Sequence, residues 1–247
     1  MITDTMVVDV SRDWAIACDV QERFMQPSEA GIANLDYSAK CRQMRALGGD
    51  CYDFIDLGDR RLAFFVADAS GKSVAAVLMA ANVQSSLRTA ALFTKDAAAV
   101  IRAVNRQLYA ASLSDRYATV FYGVIDATTR TLRYVNAGHN PPLIIHRDGS
   151  ITWLECGGAP VGIFQDSGYT EGVVQLCEGD AIVAYTDGVV ESTSAAGEEW
   201  GTGGLYASVA EIDRPAAHSV DAIFESMDEF SGGQQSDDAT AVVLKFL

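Results

Sequence analysis

Basic charge is scarce in this sequence. Its 247 residues carry 18 Lys and Arg against 33 Asp and Glu, so the formal net charge is −15. Neutralising a nucleic-acid backbone takes clustered Lys and Arg, and that class of partner is set aside. Cysteines are few and unpaired in pattern: Cys18, Cys41, Cys51, Cys156 and Cys177 are odd in number, and no two stand in C-x-x-C spacing. A disulfide framework and a zinc knuckle are therefore not expected, and a reducing, cytoplasmic setting is. Long apolar runs are missing as well. The longest, about Val74 to Ala81, falls far short of the roughly 20 residues that span a bilayer. The opening MITDTMVVDV has no basic stretch followed by an apolar core, so neither a signal peptide nor a membrane association is expected.

The sequence is 49% hydrophobic and 21% charged, enough apolar material for a large core. Ser11 and Asp13 are candidate N-caps for a helix running to about Met25, with Trp14, Cys18 and Gln21 on one face and Pro27 ending it. Leu35, Tyr37, Ala39 and Cys41 alternate with polar residues as a half-buried strand does. LGGDCYDFIDLGDRRLAFFVADAS reads as two strands around a tight turn at Gly58-Asp59, with Phe54, Leu57, Leu62, Phe64 and Val66 facing cores. A largely buried helix follows from about Ser73 to Phe93, then a second, capped by Asp96, to about Ser112. YATVFYGVID, TLRYVNAGH, PPLIIHRDG and SITWLE read as strands, and GDAIVAYTDGVVE as an apolar strand ending in an acidic turn. Helices are expected at 201–212 and 215–230, and DDATAVVLKF closes the chain as a strand. Strand runs broken by helix pairs favour an α+β sandwich with antiparallel sheets over a doubly wound parallel sheet.

VADASGKSVAAVLMA, residues 66–80, poses the chemical question. A strand, Gly71-Lys72-Ser73 and a helix suggest a phosphate-binding loop. That loop requires G-x-x-x-x-G-K-[ST], and the position of its first glycine holds Val66. Asp68 would also set a negative charge against the phosphates. The alternative is a metal held by carboxylates. Asp50 follows Gly48-Gly49, Asp68 ends a strand, Asp187 precedes Gly188, and Asp237-Asp238 open the last strand. Each alone is an ordinary turn residue. Together they form an oxygen-donor set of the kind that hard cations such as Mg2+ and Mn2+ prefer. GGD also begins a diguanylate cyclase signature, but that family continues with Glu-Phe where this chain has Cys51-Tyr52.

GGDCYD, VADASGKSVAAVLMA, AGHNPPL, GGAPVGI, YTDGVVE and DDATAVV occur in that order. In this the chain resembles the bacterial, SpoIIE-like branch of the PPM-type metal-dependent serine/threonine protein phosphatases, from about Val20 to Phe246. The resemblance implies a four-layer αββα sandwich over residues 28–247, preceded by a segment 1–27 expected to be a linker or switch helix. It implies two Mn2+ or Mg2+ ions. Asp50, a bridging Asp68 and the backbone carbonyl of Ala69 would serve the shared centre, and Asp187 and Asp237, or the adjacent Asp238, would hold the second ion. A water between the ions would hydrolyse phosphoserine or phosphothreonine in a protein, and the family's substrate is a phosphorylated STAS-type anti-anti-sigma factor. Arg45 is a candidate for gripping the phosphate and Asp53 for orienting water from behind the ligands. His139, in NAGHNPP, and Gly157-Gly158-Ala159-Pro160 read as structural turns. A homodimer is a further expectation. A non-catalytic binding module of the same fold is the alternative, disfavoured because it has no need of a complete acidic set.

Overall fold

The computed structural model describes residues 10–24, 31–111, 116–209 and 214–247. Met25, Pro27 and Ser112, and the end of the helix expected at 201–212, lie outside those residues. The elements run α1 Val10–Phe24, β1 Leu35–Arg42, β2 Asp50–Asp56, β3 Arg61–Ala69, α2 Val74–Ala91, α3 Ala97–Ala111, β4 Ala118–Asp126 and β5 Thr131–Ala137. They continue with β6 Leu143–Ile145, β7 Ile151–Trp153, β8 Gly157–Gly158, β9 Gly172–Gln175, β10 Ala181–Tyr185, α4 Asp187–Val190, α5 Gly201–Ser208, α6 Ala216–Ser231 and β11 Ala239–Phe246. Among the described residues no helix is long and apolar enough to cross a membrane.

Two sheets form the middle of the molecule. One has the order β1-β11-β10-β6-β7, and the other β2-β3-β4-β5-β8, with β9 also on β5. Period-two alternation decides what each face meets. Tyr52 and Phe54 of β2, with Leu62, Phe64 and Val66 of β3, pack against Ile182 and Ala184 of β10 and Val242 and Leu244 of β11. The other parity, Cys51, Ala63, Phe65 and Ala67, faces outward and is covered by Met79, Val83 and Leu87 of α2 and by Val100, Ile101 and Val104 of α3. On the far side Val183, Ala241 and Val243 lie under Val220, Ile223 and Phe224 of α6. The result is the expected sandwich of helices, sheet, sheet and helices. Each fully buried Phe or Leu contributes about 2–3 kcal/mol. Gly123 of β4 allows one of these contacts, because a Cβ there would stand 2.8 Å from the Phe64 ring.

Details depart from the sequence expectation. The pairing is antiparallel except between β5 and β8, where Asn136 and Ala137 run parallel to Gly157 and Gly158. The chain crosses to the other sheet for β6 and β7, then returns beside β5 in the same sense. Asp13 lies in the first turn of α1 rather than before it, where the helix dipole favours a carboxylate. Asp96 does cap α3, accepting from the Ala99 amide at 3.0 Å. The segment after β10 turns directly into the short helix α4.

Parity also settles the surroundings of Asp53. It stands an odd number of residues from Asp50, so it faces α2, where its fully buried carboxylate takes both Nε and Nη2 of Arg88. Removing the partner would leave a buried charge uncompensated. Arg88→Met is expected to lower stability by roughly 2–4 kcal/mol, measured by urea denaturation. A change below about 0.5 kcal/mol, the size usual for surface substitutions, would show that the pair is not structural.

Candidate metal centre

Asp50 begins β2 and Asp68 is its direct cross-strand partner near the end of β3. Both continue the parity of Tyr52 and Val66, so the inner face of this sheet ends in two acids. The opposite sheet ends at the same place with Thr186, Asp187 and the Asp237-Asp238 pair. Asp50 is 1% exposed. Its Oδ2 accepts from the Thr186 hydroxyl at 2.8 Å and from the Thr240 hydroxyl at 2.7 Å. The Thr186 hydroxyl in turn accepts from the Thr240 amide at 2.9 Å. One carboxylate thus ties β2 to β11 and to the turn between β10 and α4. Burial holds the Asp50 carboxyl well above the usual carboxylate range and the charge of Asp68 adds to this, while the two threonines oppose it.

The other acids share the strain. Burial and the charges of Asp187, Asp237 and Asp238 push Asp68 up to about 7, against the pull of Lys72. Burial and Asp237 raise Asp187. Backbone atoms reach the same end because glycines let them. A Cβ on Gly49 would stand 2.9 Å from the Ala69 carbonyl oxygen and cover it, and one on Gly188 would stand 2.0 Å from the Asp238 carbonyl oxygen.

The two adjacent aspartates are differently engaged. Asp238 spends both oxygens on the preceding loop, accepting from the Met44 and Gly49 amides at 2.8 Å each. Asp237 faces Lys72, whose ammonium lies 2.7 Å from its Oδ2. Arg45 is at the rim of this cleft with Lys72 and Ser73, its Nη1 donating to the Lys72 carbonyl at 2.9 Å. Asp53 is not brought to the cluster, as its pairing with Arg88 requires. His139 is buried, shares a hydrogen bond with Thr119 at 2.8 Å, and is pushed down to about 4 by burial. Gly138, at φ +69°, leaves room for Pro160, which a Cβ would strike at 2.4 Å. The AGHNPP and GGAP turns therefore brace each other. Thr186 and Thr240 are not among the residues expected from the sequence. Their signal was there: two hydroxyl residues at the acidic ends of strands, on the parity of an otherwise apolar face.

The donors fit a hard divalent cation. They are carboxylate and carbonyl oxygens, and the buried acids lack the positive charge that would let them ionise at their ordinary pKa. Among the described residues no three His, Cys, Asp or Glu side chains form a ligand set by themselves. Asp237 and Asp238 line a cleft with Lys72 and Arg45, and the oxygens of Asp50, Asp237 and Asp238 are already engaged by threonine hydroxyls, backbone amides and Lys72. That suits an ion that keeps several waters.

Residues 58–247 match the Stage II sporulation protein E (SpoIIE) family profile. The chain belongs to the SpoIIE family. Among relatives of this SpoIIE-family chain, Protein IcfG of Synechocystis sp. is 27% identical over 91% of this chain and 40% of that protein. Phosphoserine phosphatase RsbU of Bacillus subtilis is 24% identical over 96% of this chain and 71% of that protein. The chain thus spans about two fifths of the first of these. The SiaA-PP2C domain of Pseudomonas aeruginosa shares the fold, with a TM-score of 0.84 at 19% identity over 96% of this chain and 97% of that one.

A carboxyl that keeps its proton to about pH 7 when folded, but only to its ordinary 3.8 when unfolded, favours the fold below pH 4. That contribution is lost as pH rises through 7. In chelator, wild-type stability is expected to fall between about pH 4 and pH 7. Asp68→Asn should recover roughly 1–3 kcal/mol at pH 7.5 and little at pH 4.5. Urea denaturation at the two pH values checks this, and parallel pH dependences in the two proteins would contradict it.

Proposed function

We propose that this chain is a metal-dependent protein phosphatase that hydrolyses phosphoserine or phosphothreonine, using two Mn2+ or Mg2+ ions. The observation that carries the reading is the gathering of Asp50, Asp68, Asp187 and Asp237 at one end of the sandwich, with too little positive charge to offset them. Those four side chains and the Ala69 carbonyl would hold the ions. Bound there, divalent ions supply Lewis-acid activation of a water nucleophile and stabilise charge on the transferring phosphoryl group.

The chain's own groups set the stage. Thr186 and Thr240 fix the plane of the Asp50 carboxylate, and Asp238 pins the 44–49 loop that carries Gly49 to the Ala69 carbonyl. Asp68, its carboxyl pushed up to about 7, would give up its proton to a cation held there. Lys72 and Arg45 put positive charge at the lip of the cleft, where a phosphoryl dianion would enter. Burial pushes up the thiols of Cys41 and Cys51, which disfavours these two as nucleophiles. Direct attack by water then needs no phosphoenzyme.

The proposed substrate is a phosphorylated STAS-type anti-anti-sigma protein in the cytoplasm, and a homodimer the proposed assembly. Membership of the SpoIIE family and the similarity to a phosphoserine phosphatase, RsbU, support the substrate class. Phosphate release from p-nitrophenyl phosphate and from a phosphoserine peptide tests the activity. It is expected to require Mn2+, to stop in EDTA, and to fall by about two orders of magnitude or more in Asp68→Asn. Mn2+ binding without turnover on either substrate or on a phosphorylated STAS domain would favour the non-catalytic module instead.

A further inference from the structure

Lys72 sits among the acids rather than beside them. Its ammonium donates to Asp237 Oδ2 at 2.7 Å and to the Ser236 carbonyl at 2.9 Å. The remaining oxygen of Asp237, Oδ1, accepts from the Asp238 amide at 2.9 Å. Both oxygens of a carboxylate proposed to hold a cation are therefore engaged, one of them by a competing positive charge. The same ammonium also pulls against the raised carboxyls of Asp68, Asp187 and Glu191, without offsetting the burial and like charge that raise them. Its backbone is steadied by Arg45, which donates to its carbonyl and lines the same cleft. The side chain is 47% exposed, which leaves its head free to swing outward on a flexible stem.

We propose that Lys72 and a divalent cation compete for Asp237, and that the displaced ammonium then binds the phosphoryl group of the substrate. This rests on the metal-dependent reading of the site. No covalent change is involved: one ion pair breaks, a cation–carboxylate contact forms, and the freed ammonium finds a new anion a few ångströms away. By linkage, whatever Lys72 costs the cation, the cation costs the Lys72–Asp237 pair. A phosphoryl dianion that takes up the ammonium relieves that competition, so cation and substrate favour each other's binding. Lys72 thereby acts as a substrate-binding and charge-balancing residue for the same reaction.

Calorimetric titration with Mn2+ of the wild type, Lys72→Met, Lys72→Arg and Arg45→Met tests the competition. Lys72→Met should bind Mn2+ roughly three- to tenfold more tightly, as expected for losing a half-screened charge. Lys72→Arg should resemble the wild type. Arg45→Met, whose guanidinium holds a carbonyl, should stay within about twofold of it. At saturating Mn2+, KM for a phosphoserine peptide should rise several-fold in Lys72→Met with kcat little changed. Unchanged or weaker Mn2+ affinity in Lys72→Met, with Mn2+-dependent turnover intact, overturns this proposal alone. Tighter Mn2+ binding with an unchanged KM overturns the transfer of the ammonium to substrate. Failure of all four proteins to bind Mn2+ overturns the metal-dependent reading and this proposal with it.

Discussion

The architecture depends on one carboxylate placed where two sheets meet. Asp50 is buried at the end of the inner face, with hydroxyls of Thr186 and Thr240 reaching it from the facing sheet. Such hydrogen bonds hold a carboxylate in place, but they do not replace the water it has lost. Asp68, directly across the strand pair, adds its charge to that of Asp50, and Asp187 and Asp237 add theirs to that of Asp68. The sandwich can tolerate this end because a large apolar core stabilises the rest of it. In the proposed reading, the electrostatic strain that destabilises the fold is what would give the site affinity for a divalent cation.

The surrounding loops follow from that need. Glycines at 48, 49 and 188 let the backbone close in on the Asp238 side chain, the Ala69 carbonyl and the Asp238 carbonyl respectively. Asp238 uses its charge on amides of the 44–49 loop, while Asp237, one residue earlier, faces the cleft. Two adjacent aspartates thus divide the labour of building the site and serving it. Lys72, at the entrance to α2, supplies positive charge that can leave.

Much of this was legible from residue order. Alternation through Phe54, Leu62, Phe64 and Val66 names the inner face, and carrying the same parity on reaches Asp50 and Asp68. Parity equally turns Asp53 away, yet its closeness in sequence to Asp50 made it look like a member of the site. Its partner Arg88 lies 35 residues on, in α2, and no local pattern links the two. The short helix α4 was hidden because Val189 and Val190 extend the apolar run of β10. The pairs β5–β8 and β5–β9 involve segments too short to show alternation, and the parallel sense of β8 depends on where the chain returns from the other sheet. The separate fates of Asp237 and Asp238 depend on which one faces the 44–49 loop, a tertiary fact that a DD pair does not encode.

The charge of a buried Asp50 carboxylate costs the fold stability that a bound divalent cation would restore. Thermal melting of the wild type and Asp50→Asn, in EDTA and in excess Mn2+, tests it most directly. Asp50→Asn should melt above the wild type in EDTA and below it in Mn2+, the order inverting because only the wild type gains from the ion. The same order in both conditions, with the wild type unmoved by Mn2+, would contradict the claim.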